Sequence, residues 1–172
     1  MIRILTERVN NRSEEYYEYL DQHISGVEKA FNEIKENLDL NEYELEELEY
    51  QIEQHDKSKY EDEEFYPYLY HFYPSEAGKD TKEFYDGAWN HHQKCNKHHW
   101  QYWIIIKDGG EQYPLDIPLC YIIEMLCDWS SFKYKNPEST ANKWYNDNKD
   151  KMILSDNTRK TVEELLNKFT SL

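Results

Sequence analysis

The stretch SEEYYEYLDQHISGVEKAFNEIK, residues 13–35, sets Tyr16, Leu20, His23, Val27, Ala30 and Ile34 at steps of three and four. That is the period of an α-helix with one buried face, so these residues are predicted to be helical, with His23 in the middle of the apolar stripe. Gly26 weakens such a helix by about 1 kcal/mol relative to alanine. Its place one turn from His23 points to the close approach of a neighbouring element.

The same period recurs on the C-terminal side. Asn41 and Glu44 form a capping box that opens a second helix, which carries Leu45, Leu48, Ile52 and His55 on one stripe and ends at Asp56. Ser58 is expected to cap the next segment, in which Phe65, Leu69 and Phe72 are apolar anchors before Pro74. Residues 74–81 read as a loop. A helix over 82–95 then aligns Tyr85, Ala88, Trp89 and His92, and His99, Trp100, Tyr102 and Trp103 follow at once. Residues 104–106, the turn Asp108-Gly109-Gly110 and the stretch up to Pro118 suit a small β-hairpin. Pro118 fits the first turn of a further helix that buries Tyr121, Ile122, Met125, Trp129 and Phe132, with Asp128 at its border. A short helix bearing Trp144 precedes a last one, capped by Ser155 or Asp156, with Val162, Leu165, Leu166 and Phe169 inward. The expectation is an all-α bundle with one small β-hairpin, residues 1–172 forming a single domain.

Composition narrows the function. The chain has 172 residues, with 35 acidic against 20 basic side chains, and a net charge of −15. Polyanions such as duplex nucleic acid and anionic membranes are therefore disfavoured partners. An aromatic content of 16% argues against disorder, because rings bury large areas. Three cysteines, Cys95, Cys120 and Cys127, have no CxxC spacing, so neither a disulfide framework nor a thiolate zinc site is expected. The first twenty residues lack a continuous apolar run and no later run approaches a membrane span, so a cytoplasmic protein is expected.

The chemistry lies in histidines and aspartates. His23, the dyad His55-Asp56 and Asp128 fall on or beside the buried faces of three separate helices, and His91, His92, His98 and His99 lie between them. Burying Asp56 and Asp128 without partners would cost several kcal/mol, which coordination offsets. Imidazole and carboxylate donors in this mixture suit a divalent ion such as Mn, Fe, Zn or Ni. His91 and His71 are expected to face solvent or to pack, since neighbouring histidines on a helix cannot all face one point. Glu124, one turn before Asp128, could orient a ligand or water, with a solvated helix face as the favoured reading.

His23, then His55-Asp56, then Asp128 resembles the His…His-Asp…Asp signature of the HD-domain metal-dependent phosphohydrolase superfamily. The resemblance spans roughly Ser13 to Phe132. The segment His55-Asp56-Lys57-Ser58-Lys59 is also similar to the dyad-plus-lysine segment of HD-GYP cyclic-dinucleotide phosphodiesterases, which implies that Lys59 contacts substrate phosphate. It further implies that His92, His98 and His99 expand the site to a second metal, which Asp56 would bridge. The short step from His92 to His98 and the absence of a GYP motif depart from that pattern. The phrases AWNHHQKCNKHHWQYW and IIEMLCDW resemble a phage and bacterial family with an HD-like fold and no known activity, so that the host cytoplasm of a phage is one expected setting.

The expected function is thus metal-dependent hydrolysis of a phosphomonoester or phosphodiester in a nucleotide or cyclic nucleotide. One or two divalent ions would be held by His23, His55, Asp56, His92, His98, His99 and Asp128, with Lys59 and Asp56 catalytic. The expected partner is a small phosphate or nucleotide. Two alternatives stand beside it. A mixed-valent di-iron oxygenase on an HD-like scaffold uses four histidines and two aspartates, and an acidic binding protein would occupy a partner's basic surface without catalysis. Trp89, Trp100, Tyr102, Trp103 and Trp129 could stack a base, although core packing is the favoured reading.

Overall fold

A computed structural model describes residues 2–74 and 82–169. Helix α1, Ile2–Ile34, starts well before Ser13, because no proline or glycine interrupts the chain ahead of it. Its expected stripe is buried throughout: Tyr16, Leu20, His23, Val27, Ala30 and Ile34 all lie inside. Helix α2, Glu42–Glu53, opens on the expected capping box, with the Glu44 amide donating to Asn41 Oδ1 and the Asn41 amide donating to Glu44 Oε2.

The end of α2 departs from the expected pattern. The helix stops at Glu53, so His55 and Asp56 stand in the turn beyond it. Asp56 has φ 54° and ψ 19°, the one left-handed non-glycine residue among the described residues. A left-handed residue after a helix turns the chain away from the axis, a place usually taken by glycine or asparagine. A 3₁₀ turn, Lys57–Tyr60, then leads into helix α3, Asp62–Phe72. Ser58 lies within that turn and does not cap α3; its hydroxyl donates to Glu64 Oε2 at 3.0 Å. Phe72 is not an inward anchor either, being 55% exposed, whereas the other two expected anchors, Phe65 and Leu69, are buried, as is Tyr68.

Helix α4 spans Lys82–Cys95. The loop expected before it lies, apart from Pro74, outside the described residues. Strands β1, Ile104–Ile106, and β2, Gln112–Pro114, pair antiparallel with Ile105 opposite Tyr113. Their turn is closed by the Gly110 amide donating to the Lys107 carbonyl at 2.8 Å, and Gly110, at φ 83°, takes the left-handed position that a bulged turn of this length requires. Helix α5, Leu119–Ser131, starts directly after Pro118, and α6, Ala141–Asn148, and α7, Asp156–Phe169, complete the chain. Ser155 caps α7 by accepting from the Thr158 amide. The all-α bundle with one small hairpin is therefore the architecture observed. Among the described residues, no helix is long and apolar enough to cross a membrane.

Two apolar clusters flank one polar region. The larger joins Val27, Phe31 and Ile34 of α1 to α2, α5, α6 and α7; the smaller joins Tyr16 and Leu20 of α1 to Phe65, Tyr68 and Leu69 of α3 and Ala88 of α4. His23 sits on α1 between Leu20 of one cluster and Val27 of the other.

Candidate metal centre

Four buried histidines share one orientation. His55 Nδ1 lies 2.8 Å from Glu124 Oε1, His98 Nδ1 3.0 Å from the same oxygen, His92 Nδ1 2.8 Å from Glu64 Oε2, and His23 Nδ1 3.0 Å from Ser131 Oγ. A carboxylate can only accept, so Nδ1 carries the proton in His55 and His92, and the Nε2 lone pair is left free; His98 Nδ1 lies near Glu124 without a hydrogen bond to it, and both its ring nitrogens are buried without a partner. Ser131 Oγ can accept from His23 in the same sense. Both glutamates are themselves held: Gln51 donates to Glu124 Oε2, and Ser58 donates to Glu64 Oε2 while His91 Nδ1 lies 2.6 Å from Glu64 Oε1.

The four Nε2 atoms converge on Asp56 and divide between its two oxygens. His23 and His55 each stand 3.5 Å from Oδ2, while His92 and His98 stand 3.3 and 3.6 Å from Oδ1. Asp128 Oδ1 joins the first group, 3.2 Å from His23 Nε2, and His99 joins the second. Two donors bound to one ion at ~2.0–2.2 Å stand ~3.0–3.6 Å apart at ordinary ligand angles, so these separations suit shared coordination. Nε2 of His55, His92, His98 and His99 and Oδ1 of Asp56 are buried without a hydrogen-bond partner, a costly arrangement for protein alone. The residues present therefore fit a metal, in two groups that share Asp56.

The charges agree with the geometry. Burial opposes ionisation of Asp56, yet His55, Lys59 and His92 hold its carboxyl well below the usual carboxylate range. Asp128 is lowered in the same way, chiefly by His23 beside it, and Glu124 is held down to about 2 by His98 and His55 against its burial. Burial drives His99 far below the usual imidazole value, helped by His98 and His92, and leaves it a neutral donor. Lys59 Nζ lies 2.6 Å from Asp56 Oδ2; burial opposes its charge, but Asp56 more than compensates, and its pKa is raised.

A cavity of about 500 Å³ opens onto this centre. Asp56, His92, His99 and Asp128 reach it together with Lys59, and the remaining wall is aromatic: Tyr16, Tyr19, Tyr68, Phe72, Tyr73, Tyr85 and Trp89. Asp56 is 2% exposed, whereas Lys59 and Asp128 are each 15% exposed, so the latter two are the charged groups a ligand meets first. Burial raises the pKa of Tyr16 and Tyr68, which keeps both phenols protonated.

Every residue expected to bind metal or act in catalysis therefore reaches the centre or its cavity. His91 does not; it sits 39% exposed beside Glu63 and Glu64. His71 is exposed and stacks on Tyr85 with ring centroids 3.8 Å apart. Glu124 is a correction: it is 4% exposed and not on a solvated face, because it accepts from His55 and Gln51 and lies against His98. Glu64 and Ser131, which anchor His92 and His23, were not foreseen, and neither were the tyrosines of the wall. Of the expected stacking aromatics only Trp89 lines the cavity; Trp129 stacks on Trp144 at 4.4 Å, Trp100 and Trp103 pack against the larger core, and Tyr102 is exposed.

Residues 12–168 match the family of unknown function DUF5662, and the chain belongs to that family. No curated protein and no solved structure matches it.

Proposed function

We propose that this protein is an HD-type metal-dependent phosphohydrolase acting on a nucleotide or cyclic nucleotide. The carrying observation is the inward turn of four histidines onto a single aspartate, with a carboxylate or hydroxyl oxygen behind each of them. Order along the chain, His23, His55-Asp56, His92, His98, Asp128, supports the HD reading through its resemblance to that signature. Two divalent ions from among Mn, Fe, Zn and Ni are the expected complement, one near His23, His55 and Asp128 and one near His92, His98 and His99.

Ions bound there would supply Lewis acidity and a water of lowered pKa as nucleophile. Asp56 offers one oxygen to each group and would hold the two in register. Lys59, charged and at the cavity edge, would neutralise phosphoryl oxygens without binding metal. Asp128, more open than Asp56, would face the scissile bond. Hydrolysis then adds water across the P–O ester bond, the hydroxyl going to phosphorus and the proton to the leaving oxygen.

The set of four histidines and two aspartates also supports a second reading, a mixed-valent di-iron oxygenase. Lys59 beside Asp56 favours hydrolysis, because a cation at the cavity edge serves a phosphate. Turnover of a panel of nucleotides and cyclic nucleotides by metal-loaded protein tests the first reading, with Lys59→Ala expected to keep its metal and lose at least ~100-fold in rate. Inactivity on the whole panel, together with a mixed-valent iron signal in electron paramagnetic resonance, would overturn it in favour of the second.

A further inference from the structure

Tyr16 and Tyr68 line the cavity from α1 and α3, are 1% and 5% exposed, and carry hydroxyls buried without a hydrogen-bond partner. Nothing in their packing explains the oxygens. Tyr16 packs its ring on Phe65 and Tyr73, with centroids 5.0 and 5.8 Å away, and Tyr68 packs on Tyr85 at 5.3 Å. Phenylalanine would make these ring contacts equally well and leave no orphaned polar atom. Tyr68 also stands next to the chemistry, its ring centroid 6.0 Å from that of His92 and 5.9 Å from Lys59 Nζ.

We infer that Tyr16 and Tyr68 are specificity residues whose hydroxyls donate to acceptors on the organic part of a small, flat phosphate ester. This rests on the phosphohydrolase reading above and adds to it what is recognised beyond the phosphate. Lys59 and the metal groups lie at one end of the recognition surface, where charge is met, and the ring-walled remainder can accept a planar group; the two hydroxyls are closed to water in the unliganded cavity, so a ligand would meet them through a small shift of the rings around them. A volume of about 500 Å³ is in the range of pockets that enclose one small molecule, not a strand. Among the described residues, Lys59 is the one cation in the lining, which suits a single phosphate better than a triphosphate.

The test is calorimetric binding to metal-loaded full-length protein, with inorganic phosphate and the four common ribonucleoside 5′-monophosphates as probes, for the parent, Tyr16→Phe and Tyr68→Phe. At least one monophosphate is expected to bind ~10-fold or more tightly than inorganic phosphate, and each variant to lose about 10-fold of that binding. Phosphate binding and metal content should stay within about twofold of the parent. The unliganded variants should melt at or above the parent temperature, since each sheds an unsatisfied buried hydroxyl. Variants that melt lower and bind the monophosphate as the parent does would overturn the inference and make the hydroxyls structural. Monophosphates that bind no better than phosphate would also overturn it, while leaving the hydrolase reading in place. Failure of the metal-loaded parent to bind any of the probes would overturn this inference, and the hydrolase reading is decided separately by the turnover panel.

Discussion

Asp56 combines a strained backbone with a fully buried charge. Its left-handed conformation is tolerated by aspartate and asparagine better than by most residues, so Asp56→Asn should keep the turn while weakening coordination. Bound metal is expected to fall in Asp56→Asn, and in His55→Ala, at an unchanged far-ultraviolet circular dichroism spectrum. The glutamates behind the histidines make a separate prediction. Glu124→Gln leaves every ligand atom present but removes the charge that holds His55 and His98, and should lower metal affinity ~10- to 100-fold by competition titration. An affinity equal to the parent's would show that Glu124 does not orient them. These residues also mark how far the sequence could be read. His23, His55, Asp56 and Asp128 are conspicuous because they interrupt apolar stripes. Glu124 carried the same signal, a lone carboxylate between Ile123 and Met125, and was under-weighted. Glu64 had none, standing in the run Glu61-Asp62-Glu63-Glu64, where a helix N-terminus explains acidity by itself.

Among the elements, α1 and α5 form the frame on which the centre hangs. A Cβ built at Gly26 would meet Ser131 Cβ and its carbonyl oxygen at 3.1 Å each, and the Ser131 hydroxyl is the anchor of His23. Gly26→Val should therefore cost about 1–3 kcal/mol by overpacking, despite leaving a helix former in place of glycine. It should also reduce metal affinity by displacing Ser131; urea unfolding and metal titration of the same preparation check both. The stripes of α1, α4 and α7 were legible because their burial follows local periodicity, whereas α5 is buried on nearly every side from Ile122 to Ser131. The end of α2 was not legible, since Asp56 is left-handed where it meets His23, His92 and His98, which come from elsewhere in the chain. The tyrosine wall was unreadable for a related reason: with 16 tyrosines in the chain, composition does not say which five meet around one cavity.

Taken as a whole, the molecule places its polar centre between two apolar clusters and reaches it from α1, α4, α5 and the turns after α2 and α4. Metal held by those segments would tie them together and stabilise the folded chain by mass action. Free metal at 100 times its dissociation constant adds about 2.7 kcal/mol, so a chelator should lower the melting temperature by several degrees, and reloading should restore it. The melting temperature of Asp56→Ala should be indifferent to the same treatment. In a chain of net charge −15 the positive charge of Lys59 is a local exception, and under the proposed function it and the ions would carry recognition of an anionic ligand.

Whether Asp56 joins two metal groups is decided by elemental analysis of protein purified without added metal or chelator, paired with Asp56→Ala. About two equivalents of a divalent transition metal in the parent, and little in the variant, is the expected result. Full metal content in Asp56→Ala, or a parent that neither carries metal nor is stabilised by adding Mn, Fe, Zn or Ni, would contradict it.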